Sequence, residues 1–191
     1  MKKHLLLSTF LCISFLAISQ SNILLDFNQN RLQKQKTAMT ILGTWAIGNI
    51  AAGSILASQQ EGEVKYFNQM NAGWNAINLV IAGFGYYGVM RMDAAALDMY
   101  GSIEEQYKIQ KILLFNAGLD IGYMLGGAYL IERSKNITNK PERLKGFGKS
   151  ILLQGGFLFA FDLITYFTLA ADNERLQLLL SNEGIGVFLR F

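Results

Sequence analysis

At 191 residues the chain has the length of one compact unit, and it is 51% hydrophobic with only 16% charged residues. Soluble domains carry roughly 25% charged residues, so this chain lacks the polar surface to cover itself and lipid is its expected solvent. A net charge of +3 gives no basic footprint for nucleic acid.

Met1 to Ser19 reads as a secretory leader. Lys2 and Lys3 form its charged start, Leu5 to Ile18 its apolar run, and Ala17-Ile18-Ser19 a small-x-small cleavage site, with cleavage expected before Gln20. An uncleaved signal anchor would leave the orientation of the rest unchanged. Cys12 and His4 are the only cysteine and histidine, and both fall in the leader. The mature chain is therefore expected to lack a thiolate nucleophile, a disulfide and the usual zinc or haem ligands. No cofactor, no metal and no enzymatic role are expected.

Residues 20–191 then read as a single polytopic domain. Gln20 to Lys36 is polar, with Asp26 a candidate N-cap. Four stretches follow that match the ~20 apolar residues a helix needs to cross a bilayer at ~1.5 Å per residue. Thr37 to Gln60 and Tyr66 to Met90 hold no charged residue, whereas Ile112 to Ile131 holds Asp120 and Ser150 to Ala171 holds Asp162. Between them lie the connector Ser58 to Lys65, the linker Arg91 to Lys111 with a break at Gly101-Ser102, and the basic loop Glu132 to Lys149. Ser102-Ile103-Glu104-Glu105 fits a capping box, and Pro141, the only proline, suits a first helical turn. The expectation is an all-α membrane protein, four transmembrane helices in an antiparallel bundle with a short C-terminal tail.

The loop Glu132 to Lys149 is the richest in Lys and Arg, which predicts that it is cytoplasmic and the C-terminus external. The expected location is a bacterial inner membrane, multi-pass, with Arg143, Lys145 and Lys149 placed to meet anionic lipid. An eight-strand barrel is the alternative, prompted by the length and by Gly186, Leu189 and Phe191 at the end. Runs such as Ile151-Leu152-Leu153 are apolar on both faces and break the alternation a barrel strand requires.

Spans two and three share a weak pattern: Asn71-Ala72-Gly73-Trp74-Asn75 aligns with Asn116-Ala117-Gly118-Leu119-Asp120. Such likeness between antiparallel helices is a device of transporters, but small and amide residues also recur in any packed membrane bundle. Helical spacing puts Asn71, Asn75 and Asn78 on one face of span two, and Asn116, Asp120 and Tyr123 on one face of span three. On the opposite side Gly118, Gly122 and Gly126 form a doubled GxxxG, expected to pack a helix within the bundle, a second copy or another membrane protein. By the rise per residue, Asp120 and Asp162 lie about 12 and about 13 Å below the outer ends of their spans, near Asn49 and Asn78. A charged carboxylate at such depth costs at least ~2.5 kcal/mol, so each is expected to be paired or protonated.

Gly146-Phe147-Gly148-Lys149-Ser150 has the end of a P-loop, but Arg143 stands where the pattern needs glycine. Asn136-Ile137-Thr138 is a formal sequon on the side predicted cytoplasmic. The leader, Trp45-x-x-x-Asn49 and Asn71-Ala72-Gly73-Trp74-Asn75 together resemble an uncharacterised family of small bacterial membrane proteins. The resemblance implies a four-helix membrane fold and no known activity. Two functions remain open: a structural or accessory membrane protein, or a small proton-coupled transporter or pore using Asp120 and Asp162. A water-accessible cavity reaching the aspartates would favour the second; a dry bundle with each carboxyl bonded to an amide would favour the first.

Overall fold

The structure is a computed structural model that describes the backbone of residues 2–182 and the side chains of residues 22–178. The leader's cleavage site, Cys12 and His4 therefore fall outside the described side chains, and Gly186, Leu189 and Phe191 outside the described residues. The chain is all-helical, with no strand among the described residues. The elements are α1 (Lys2–Gln59), α2 (Gly62–Arg91), a 3-10 turn (Ala94–Ala96), α3 (Met99–Ser134), α4 (Pro141–Ala170) and the short α5 (Asn173–Asn182). Two stretches, Asn22–Gln59 and Pro141–Leu178, are long and apolar enough by length and composition to cross a membrane.

Helix ends fall where local chemistry puts them, and several differ from expectation. Asp98, not Ser102, caps α3: its carboxylate accepts from Gly101 N–H at 2.8 Å, while Ser102 lies inside the first turn with Oγ on Asp98 C=O at 2.7 Å. The predicted break at Gly101-Ser102 is thus helical, because an aspartate just upstream already satisfies the first free N–H groups. Asp26 is not a cap either, since α1 runs through it; its carboxylate accepts from Arg175 Nη2 at 2.7 Å. Pro141 does open α4. Gly62 starts α2 at φ +60°, a backbone shape that glycine adopts without strain.

The helices pack in the spatial order α1, α2, α4, α3. Glycines let the backbones meet at all three interfaces. A Cβ added at Gly53 on α1 would lie 2.8 Å from Asn68 O on α2, and one at Gly146 on α4 would lie 2.8 Å from Phe67 N on α2. Between α3 and α4, a Cβ on Gly127 would lie 2.7 Å from Gly148 O, and one on Gly148 would lie 2.6 Å from Gly127 O.

These are not the glycines that the GxxxG pattern singles out. Gly118, Gly122 and Gly126 point into open space on the outer side of α3 and pack against no helix among the described residues. The physical reason is that α3 has a single contact face, carrying Leu113, Ala117, Asp120 and Gly127, and the stripe lies opposite it.

Polarity is inverted relative to a water-soluble bundle. Asn28, Arg31, Asn75, Gln106 and Gln154 are buried, while Phe84, Phe115, Leu125 and Ile164 are at least 66% exposed. The buried apolar cluster is small, built on Ala38, Leu42, Ala82 and Phe161.

Candidate functional site: a carboxyl pair in an interhelical cleft

Because α2 and α3 both pack along α4 and touch each other mainly through Trp74 and Tyr123, a cleft remains between them. Its cavity volume is about 350 Å³, with Asn78, Asn116, Asp120 and Asp162 along its walls. Asp120 of α3 and Asp162 of α4 are 3% and 6% exposed, and their carboxyls lie within hydrogen-bonding reach of each other. Asp120 Oδ2 has no hydrogen-bond partner. Gly155 on α4, whose added Cβ would lie 3.1 Å from Asp120 O, sets the close approach that brings the two acids together.

Aromatic rings line one end of the cleft. Trp74 of α2 and Tyr123 of α3 meet edge to face with centroids 5.0 Å apart and planes at 84°. By helix direction this pair lies toward the end carrying the α3–α4 turn, while Ile81 and Asn116 lie toward the opposite end.

Asn49 and Asn75 do not join the carboxyls; they belong to a second polar group among α1, α2 and α4. Trp45 Nε1 donates to Gln154 Oε1 at 3.0 Å, Gln154 Nε2 donates to Asn71 Oδ1, and Asn71 Nδ2 donates to Asn49 Oδ1 at 2.8 Å. Asn49 Nδ2 returns to Trp45 C=O at 2.8 Å, and Asn75 Nδ2 donates to Asn71 C=O at 2.8 Å. Phe157 stacks on Trp45 with centroids 3.9 Å apart, which holds the indole in line with Gln154. Asn78 links the two groups, donating to Asn75 Oδ1 at 3.4 Å while lining the cleft. The cluster expected as one is therefore two, and Gln154 is the member that sequence spacing missed. Its signal was present: it lies two turns from Asp162, in the otherwise apolar stretch of α4 that follows Ser150.

The basic residues at the α4 start are partly engaged within the chain. Lys145 and Lys149 both pair with Glu63, at 2.7 and 2.5 Å, which fixes α4 to the start of α2. Hydrogen bonds from Lys145 and Lys149 hold the Glu63 carboxyl below its ordinary range. Arg143 lies over the Phe147 ring at 5.2 Å. At the far end, the segment before the first span, expected to be a polar lead-in, docks on α3. Arg31, 1% exposed, donates to Ser102 C=O at 2.9 Å, and Asn28 donates to Ser102 Oγ at 2.9 Å. Burial pushes the Arg31 guanidinium below its ordinary value, with Glu105 opposing. Lys34 pairs with Asp172 at 2.6 Å, and Gln106 and Gln110 reach Asn173.

The chain belongs to the DUF6992 family, described as a family of unknown function, whose model matches residues 41–163. That stretch contains Trp45, Asn49, Asn71, Gln154 and both aspartates. No curated protein and no solved structure matches the chain.

Proposed function

We propose that this is an integral membrane protein whose four long helices cross the bilayer, and that its function runs through a proton held by Asp120 and Asp162. The apolar exterior and amide-rich interior support the membrane reading, because lipid rewards outward apolar side chains and tolerates polar groups only where they find partners. The connector at Glu63 and the basic turn that pairs with it lie at one end, which we assign to the cytoplasm of a bacterial inner membrane.

The observation that carries the functional reading is the cleft reaching both carboxyls, for which no amide partner lies among the described residues. Two carboxylates this close disfavour joint ionisation, so the pair retains a proton that a change in the cleft can release. Among the described residues, the only other titratable group lining the cleft is Tyr123; α1 contributes Leu42, and α2 contributes Trp74, Ile77, Asn78 and Ile81. This favours proton-coupled binding or transport over a purely structural role. The structural reading draws its support from the closed amide ladder at Gln154, which accounts for packing and leaves the carboxyls unexplained.

Infrared spectroscopy of the lipid-reconstituted protein tests the proposal. A protonated-carboxyl band is expected at neutral pH, vanishing as pH rises and absent from the Asp120→Asn, Asp162→Asn double variant. Persistence of the same band in that variant overturns the assignment.

A further inference from the structure

The lining of the cleft specifies more than a proton. Its charged groups are all acidic; among the described residues no Lys or Arg lines it. Asp120 lines the cavity and is only 3% exposed, and its Oδ2 is buried with no hydrogen-bond partner among the described residues, so the carboxyl has unmet acceptor capacity. At one end Trp74 and Tyr123 line the same cavity and meet edge to face. The remaining walls are largely apolar, with Leu158 and Ile77 among them.

Each feature removes a class of ligand. An anion would meet two acids. A divalent metal needs more hard ligands than two carboxyls, and among the described residues no three His, Cys, Asp or Glu side chains gather. A neutral apolar molecule would leave Asp120 Oδ2 unpartnered. A monovalent organic cation satisfies all three, because its positive charge answers the carboxyls and its alkyl groups sit against rings and aliphatic walls. Aromatic faces attract such cations within about 6 Å of a ring centroid, and quaternary ammonium groups are the usual guests. At about 350 Å³ the cavity is at the lower end of small-ligand pockets, roughly 300–1,000 Å³.

We propose that the cleft between α2 and α3 binds a small organic cation of the quaternary ammonium class, with Trp74 and Tyr123 receiving the cationic head and Asp120 and Asp162 neutralising it. The inference rests on the carboxyl pair as the functional site. Binding is an exchange: the cation enters, the proton shared by the two carboxyls leaves to water, and the net charge of the site changes by zero. The site itself supplies the coupling between solute and proton.

The test uses the full chain in lipid nanodiscs, with choline as probe and 3,3-dimethylbutan-1-ol as its neutral counterpart of the same shape. Calorimetry in buffers of different ionisation enthalpy reads affinity and proton release together. The expected result is choline binding with release of about one proton and no binding of the alcohol. The double variant Asp120→Asn, Asp162→Asn should lose choline binding. Trp74→Leu should weaken it about tenfold, and Trp74→Phe should restore most of it, which a merely structural role for the indole would not require. Equal binding of the alcohol, or choline affinity unchanged in both Trp74→Leu and the double variant, overturns the proposal. Absence of choline binding while the infrared carboxyl band still titrates overturns it too, and leaves the proton site standing. Absence of that titration removes the carboxyl site itself.

Discussion

Gly148→Val is expected to destabilise the bundle by about 3 kcal/mol, the upper end of what overpacking usually produces. The new Cβ would lie 2.6 Å from Gly127 O and 2.8 Å from Ile131 Cγ1. The nearest atom is backbone, so no rotamer change relieves the clash; α3 and α4 must separate. That separation would also pull Asp120 from Asp162, since Gly155 holds the same pair of helices about two turns further along. Gly127→Val should behave alike, because its Cβ would lie 2.7 Å from Gly148 O. Gly122→Leu should leave the stability of the single chain unchanged, since nothing lies within 4 Å of its added Cβ. Denaturation in mixed micelles separates the cases. Equal stability of Gly148→Val and wild type would refute the close approach of α3 and α4.

Gln154→Leu carries the second large effect. It strips the partner from the part-buried Trp45 Nε1 and removes the donor to the buried Asn71 Oδ1. An unsatisfied buried group costs about 1–3 kcal/mol in water-soluble proteins, whereas polar pairs between membrane helices average nearer ~0.6 and reach ~1.7 kcal/mol. Two groups lose a partner here, so a loss of about 1–3 kcal/mol is expected. The indole environment should change with it, because Trp45 is stacked on Phe157 at 3.9 Å and oriented by Gln154. Unchanged tryptophan emission together with an unchanged unfolding midpoint would contradict the ladder.

The helices themselves were legible because a charge-free run of ~20 residues has few alternatives. Their ends were not. The lead-in to the first span was read as separate from it, yet α1 is continuous from Lys2 through Asp26 to Gln59, and Arg31 on it is buried against α3. Nothing local marks a polar helix stretch as interior; only the partner, Ser102 some seventy residues on, makes it so. The glycine stripe shows a related difficulty. Spacing of i, i+4, i+8 proves that Gly118, Gly122 and Gly126 share a face, but not that the face meets anything. The glycines that pack, Gly53, Gly127, Gly146, Gly148 and Gly155, are spread over three helices and chosen by the crossing points.

The two aspartates were more accessible to sequence reasoning. Rise per residue gives depth, and a lone acid in an apolar run attracts attention on energetic grounds. What the sequence left open was direction, which depends on how α3 rotates on α4. That rotation is set by the glycine contacts, and so is the sparse α2–α3 packing that leaves the cleft. The division of the amides into a closed ladder and an open cleft follows from Gln154, the one polar residue of α4 between Ser150 and Asp162.

The central claim is that the cleft beside the carboxyls is reached by water. In a Cys12→Ser background, single cysteines at three positions test it with a water-soluble, membrane-impermeant maleimide applied to the reconstituted protein. Asn136→Cys, exposed at the turn between α3 and α4, is the positive control, and Ala46→Cys, 0% exposed, the negative one. The account predicts that Asn116→Cys, on the cleft wall, reacts and that Ala46→Cys does not. Labelling at Asn136→Cys with none at Asn116→Cys, in protein opened to both faces of the membrane, would mean a dry cleft and would contradict it.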